Sequence, residues 1–188
     1  MTKFKAVSKT LCKLRIRDCQ HIVDMIDFNS YIKGLDLSRL TEYCVNNGRL
    51  TQYATGDYFI KEGEEARFIG FVECGYFNYI VHNSSEQKDY ITGFAFNGEF
   101  VGDYPNCLSN KTSEVTIVAG TSCSKVFQLG GEELGKLLDS NGMRELKRAI
   151  SDHLFSQVYT QYLDTYRMTT RERYKRLLLR CPEIVQSI

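Results

Sequence analysis

The sequence predicts an α+β protein in which an antiparallel β-roll is flanked by helices, and three observations predict it. Between Arg49 and Leu129 the chain is rich in Tyr, Phe, Val, Ile and Thr, in short runs broken by Gly, Asn, Asp and Ser. On either side of this region apolar residues recur at helical spacing instead. Only two prolines occur in the chain, so strand interiors are rarely interrupted.

The elements follow in order. Leu11, Leu14, Ile22, Val23 and Ile26 mark a helix over about Thr10 to Ile26, and a second, short one runs from Ser38 to Asn46. Gly48 stands where a helix C-terminus wants a residue free to take positive φ. Strands are expected at Tyr58 to Ile60, Arg67 to Glu73, Tyr76 to Val81, Asp89 to Phe96, Glu114 to Val118 and Ser124 to Gln128. Turn signals separate them at Gly56-Asp57, Gly63, Gly75, Asn83-Ser84-Ser85, Asn97-Gly98 and Ala119-Gly120. Spacing of this kind is the mark of an antiparallel sandwich or barrel. Beyond Gly130-Gly131 a short helix covers Glu132 to Leu138, and a long one, free of internal Gly and Pro, covers about Gly142 to Arg167. Its residues Leu146, Ile150, Leu154, Val158 and Tyr162 fall at steps of four and form one stripe. Thr169 with Glu172 three places on reads as a capping box that starts a further helix, ending near Pro182.

Bulk properties narrow the function classes. Of 188 residues, 43% are hydrophobic and 25% charged, the profile of a folded, soluble domain. A net charge of +1 provides no general attraction to nucleic acid or anionic membrane. No apolar run approaches the roughly 20 residues of a membrane span, and the basic N-terminus (Lys3 to Arg17) lacks the pattern of a secretory signal. Seven irregularly spaced cysteines then read as reduced thiols in a cytoplasm. Cys44, Cys74, Cys123 and Cys181 sit among apolar residues and are expected to behave as small core hydrophobes. The three histidines, His21, His82 and His153, are scattered, and no metal site, cofactor or nucleophile–base pair is expected, so the chain does not read as an enzyme.

Three glycine-centred segments carry a family resemblance. They are Tyr58-Phe59-Ile60-Lys61-Glu62-Gly63-Glu64, Ile69-Gly70-Phe71-Val72-Glu73-Cys74-Gly75-Tyr76-Phe77 and Asn97-Gly98-Glu99-Phe100-Val101-Gly102-Asp103, with the long helix after them. In this order they resemble the cyclic-nucleotide-binding-like domain of Crp/Fnr regulators, a double-stranded β-helix or jelly roll. Thr170-Arg171-Glu172-Arg173-Tyr174, Leu177-Leu178 and Cys181-Pro182 are similar to that family's hinge and hinge helix. The resemblance, which covers roughly Leu37 to Ile188, implies the roll (37–140), a dimerisation helix (141–168), and a hinge with the start of a DNA-binding domain (169–188), and the helical spacing ahead of it marks an N-terminal helical extension (1–36). Its first 36 residues have no clear counterpart in the family.

In the family, amides of a short helical turn, an arginine and a carboxylate hold the cyclic nucleotide. The resemblance places Gly102 at the close backbone approach and Asp103 at the carboxylate that takes the ribose hydroxyl. Aligned on the strand Val115 to Thr121, the arginine and adjacent hydroxyl positions fall on Ser113 and Glu114. A slip of two residues, which keeps side chains on the same face, puts Lys111 and Thr112 there instead. Losing the phosphate pair weakens a cyclic nucleotide by about ten- to a thousandfold, so a different small ligand, or none, is expected. The resemblance also implies that Ser156 and Gln157 of the long helix close the pocket. It implies a homodimer along that helix, with Leu146, Ile150, His153, Leu154 and Gln157 as the seam. Only Glu183 to Ile188 follow Pro182, so DNA is a partner only if a helix-turn-helix follows residue 188. The expected function is the effector-sensing and dimerisation module of a transcription regulator. A stand-alone β-roll that binds a ligand or partner is the alternative.

Overall fold

The computed structural model describes residues 35–180. The helix expected over Thr10 to Ile26, Cys12, Cys19, His21, Cys181 and the end of the chain lie outside the described residues.

Eight strands form two four-stranded antiparallel sheets that face each other. One sheet has the order β1-β8-β3-β6, from Arg49–Tyr53 (β1), Ser124–Gly130 (β8), Phe68–Cys74 (β3) and Phe100–Val101 (β6). The other has the order β2-β7-β4-β5, from Tyr58–Ile60 (β2), Thr116–Ala119 (β7), Tyr76–Asn83 (β4) and Lys88–Phe96 (β5). Consecutive strands mostly lie in different sheets or across an intervening strand, the winding of a jelly roll. Alternation along the strands sends Val72, Phe77, Ile117 and Val126 inward, where all four are fully buried. Tyr53, Phe59 and Phe77 close one part of this core with ring centroids 5.5–6.0 Å apart.

The helices α1 (Ser38–Asn47), α3 (Gly131–Asp139) and α4 (Arg144–Arg167) cover one end of the roll. Leu40, Leu134, Leu138, Met143 and Ile150 join the same core cluster, and Leu146 packs on it partly buried. A short helix, α2 (Tyr104–Leu108), follows β6, and α5 (Thr170–Arg180) follows α4. The expected capping box is formed: Thr169 N–H donates to Glu172 Oε2 at 2.8 Å, and Glu172 N–H donates to Thr169 Oγ1 at 3.3 Å. Arg176 pairs with Asp164 across the α4–α5 corner. Leu177 and Leu178 lie against Tyr76, Phe94 and Phe96, so α5 rests on the sheet that contains β4 and β5.

Three local readings are corrected. Gly48 does not take positive φ: its φ is −68°. Glycine is needed there because a Cβ would come within 2.4 Å of the Cys44 carbonyl and 3.1 Å of that of Gln128. The long helix begins at Arg144 rather than Gly142, whose φ of +89° belongs to the preceding turn. Cys123 is exposed rather than a core hydrophobe, whereas Cys44 and Cys107 are buried and burial pushes each thiol up to about 11.

Candidate functional site

The turn from β6 into α2 sits against β3 and β4. At Gly102, φ is +140° and a Cβ would lie 2.5 Å from Ile69 Cδ1 and 3.0 Å from the Phe68 carbonyl, so no larger residue fits. Tyr79 of β4 fixes this turn from the other side. Its hydroxyl accepts from Gly102 N–H at 3.0 Å and donates to the Gly102 carbonyl at 3.3 Å. Burial holds the phenol up to about 12, so it remains a neutral donor and acceptor. Both polar groups of the closest-approach glycine are therefore satisfied within the chain.

Asp103 is the N-cap of α2 and a clip between segments. Its Oδ2 accepts from Asn106 Nδ2 at 2.9 Å, Ser113 Oγ at 3.1 Å and Glu114 N–H at 3.2 Å, while Asn106 N–H reaches Oδ1 at 3.5 Å. The carboxylate that the resemblance offers to a ribose hydroxyl is engaged within its own chain: three donors surround Oδ2, and Asn106 N–H reaches Oδ1 as the cap. Ser113 is buried at 2% exposure, and its hydroxyl also lies 2.8 Å from the Val115 carbonyl.

A cavity of about 490 Å³ opens between this turn, the inner face of β5 and α4. A register shift between Tyr79 and Ile80 against β5 leaves Thr92 unpaired as a bulge, and Thr92 and Gly93 form part of the wall. Of the residues expected at the site, Gly102, Asp103, Glu114 and Gln157 line the cavity, and Lys111, Thr112, Ser113 and Ser156 do not. Lys111 and Thr112 are exposed and follow the β2–β3 turn, where the Lys111 carbonyl accepts from Ala66 N–H at 2.9 Å and Thr112 bridges Glu65. The two-residue slip therefore does not bring a lysine into the cavity.

The seam residues divide as well. His153, Leu154 and Gln157 face the cavity, and Ile150 also reaches it. Ile150 is 8% exposed and sits with Leu146 against the protein's own core, so neither is available to a second copy. The apolar residues that α4 leaves exposed are Leu154, at the edge of the cavity, and Phe155, Val158, Tyr159, Tyr162 and Tyr166. They pair along the helix, Phe155 with Tyr159 at 6.0 Å and Tyr162 with Tyr166 at 5.3 Å between centroids.

The charge of the cavity is one-sided. Glu99, Asp103 and Glu114 are among its lining residues, and none of the lining residues described is Lys or Arg. His153 Nε2 is buried there and has no hydrogen-bond partner. Sequence reasoning missed Tyr79, Thr92, Glu99 and Asn106. Period-two alternation from Phe77 would have turned Tyr79 inward, but its bond to Gly102 spans 23 residues and leaves no local signal. Among the described residues no group of three or more His, Cys, Asp and Glu could hold a metal ion, and no helix is long and apolar enough to cross a membrane.

Comparison with known proteins places the architecture. The family model for the cyclic nucleotide-binding domain matches residues 50–141. The catabolite activator protein of Thermus thermophilus superposes with a TM-score of 0.58 at 12% identity, over 72% of this chain and 61% of that one. The c-di-GMP responsive global regulator CLP of Xanthomonas campestris gives 0.54 at 21% identity, over 70% and 62%. The N-terminal domain of a transcriptional regulator from Streptomyces coelicolor A3(2) gives 0.53 at 17%, over 78% of this chain and 96% of that domain. At these identities the likeness is one of fold, and the chain spans about three fifths of the length of the first two regulators. A search of curated proteins gives no significant sequence match.

Proposed function

Residues 50–141 belong to the cyclic nucleotide-binding domain family, and from that premise we propose that the chain is the effector-sensing and dimerisation module of a Crp/Fnr-type transcription regulator whose effector is not a cyclic nucleotide. The observation that carries this reading is the position of the cavity. Its walls include the β6–α2 turn and α4, so an occupant touches both the roll and the long helix. A ligand that favours one placement of α4 over another shifts that helix between two states, the requirement for a sensor.

The effector is separated from cyclic nucleotides by charge. A hydrogen bond to a charged phosphate is worth about 1.5–3 kcal/mol, and no lysine or arginine is among the described lining residues to supply it. The amide at Gly102 is already bonded to Tyr79. Dimerisation is assigned to the exposed aromatic face of α4, from Phe155 to Tyr166, rather than to Leu146 and Ile150. DNA is assigned as a partner only where a helix-turn-helix follows residue 188, and the location is assigned to the cytoplasm.

Sedimentation velocity on the full chain and on a Phe155→Glu/Tyr162→Glu variant tests the assembly. The expected result is a dimer for the wild type and a folded monomer for the variant; a wild-type monomer at high concentration would remove the dimer. Thermal-shift screening against cyclic nucleotides and uncharged compounds tests the pocket, with shifts expected only from the second group.

A further inference from the structure

We infer that the cavity takes an uncharged or positively charged, mainly apolar small molecule, anchored at its polar end by His153 and Glu114. This rests on the sensor reading above and names the chemistry of its effector. The volume of about 490 Å³ lies in the range that drug-sized ligands occupy. Most of the wall is carbon: Leu37, Phe94, Phe100, Leu154 and Val158 contribute from different elements. An occupant therefore gains chiefly by removing apolar surface from water.

The polar groups set its charge. Two features of the turn suited to an anion are taken: Tyr79 holds the Gly102 amide at 3.0 Å, and the Asp103 carboxylate stands at the start of α2. Ser113 and the Glu114 amide are committed to Asp103 as well. Glu114 places an exposed carboxylate at the rim, and the carboxyl groups of Glu99 and Asp103 also belong to the wall. An anion entering here meets the Glu114 carboxylate with no lysine or arginine among the described lining residues to offset it. His153 Nε2, buried on α4 without a partner, is a hydrogen-bonding atom in the wall that a ligand can satisfy. Its place on α4 makes it the polar contact through which an occupant engages the long helix.

The test uses two fluorophores built on one ring frame, N-phenyl-1-naphthylamine, which is uncharged, and 8-anilinonaphthalene-1-sulfonate, which carries a sulfonate. Both are titrated into the full chain, into Gln157→Trp, which fills the cavity from α4, and into Glu114→Lys, an exposed substitution that leaves the fold intact. Cavity binding is the saturable signal that Gln157→Trp removes while its circular dichroism stays native. The amine is expected to bind there at least about tenfold more tightly than the sulfonate, a gap of about 1.4 kcal/mol. Glu114→Lys is expected to narrow that gap severalfold, and His153→Leu is expected not to, since it removes a contact common to both. If the sulfonate binds the cavity as tightly as the amine, the ligand class is wrong while the sensor reading stands; if cyclic AMP does, the exclusion of cyclic nucleotides falls as well and only the sensing role stands. If neither fluorophore nor cyclic AMP gives a signal that Gln157→Trp removes, the sensor reading falls with it.

Discussion

The two halves of the long helix carry apolar residues at the same spacing and meet opposite fates. In the N-terminal half, Leu146 and Ile150 pack against the core beside Leu134, Leu138 and Met143. In the C-terminal half, Phe155 is 72% and Tyr166 75% exposed, with Tyr159 and Tyr162 also open to solvent. Between them His153, Leu154 and Gln157 face the cavity. A four-residue step in sequence therefore does not define one surface. Each step of four advances about 40° beyond a full turn, so the stripe winds around the helix, and where α4 passes the end of the roll none of the described residues covers it. The first part packs into the fold, the middle lines the cavity and the last is open to solvent.

Charge substitutions separate these halves most sharply. Ile150→Glu buries an unpaired carboxylate and is expected to cost about 4 kcal/mol or more, seen as loss of the cooperative urea transition at ordinary temperature. Phe155→Glu, five positions on, is expected to leave monomer stability within about 0.5 kcal/mol and to alter only the sedimentation coefficient. Equal destabilisation by both would mean that the two halves are packed alike.

The cassette turn supplies the next effects. Asp103→Ala removes an N-cap and the acceptor shared by Ser113 and the Glu114 amide, and chemical denaturation is expected to report a loss of about 2–3 kcal/mol. Tyr79→Phe removes the two bonds to Gly102 and is expected to cost about 1–2 kcal/mol in the same assay. Alkaline pH probes the same region. Burial raises Cys44 and Cys107 from 9.0 to about 11 and Tyr79 from 10.0 to about 12. Because the folded chain holds these protons more tightly than the unfolded chain, their contribution is complete below about pH 9 and is lost as pH rises toward 12. Denaturation midpoints measured across that window should fall steadily, and less steeply in Tyr79→Phe.

Legibility in the sequence followed the range of the interactions. The strands β2 to β5, β7 and β8, and the helices α1, α3, α4 and α5, were readable because a period, a turn residue or the Thr169–Glu172 box marks each within a few neighbours. The half-exposed β1, the two-residue β6 and the five-residue α2 were not assigned as elements, since β1 has few inward residues and the other two are shorter than any period. At the site, Gly102 and Asp103 were legible as a special turn. What they do was not: Gly102 is fixed by Ile69 and Tyr79, and Asp103 by residues ten and eleven positions away, contacts that exist only once the roll has closed. The burial of Leu146 and Ile150 was not legible for the same reason, because helical spacing shows that a face is apolar and not where the roll ends.

The central claim is that this cassette keeps the shape of a nucleotide site while its charges turn a cyclic phosphate away. Isothermal titration of the full chain with cyclic AMP at neutral pH addresses it most directly. The account predicts no saturable heat below about 1 mM ligand, a binding free energy weaker than about −4 kcal/mol. A single saturable site with a micromolar Kd, abolished by Gln157→Trp, would contradict it.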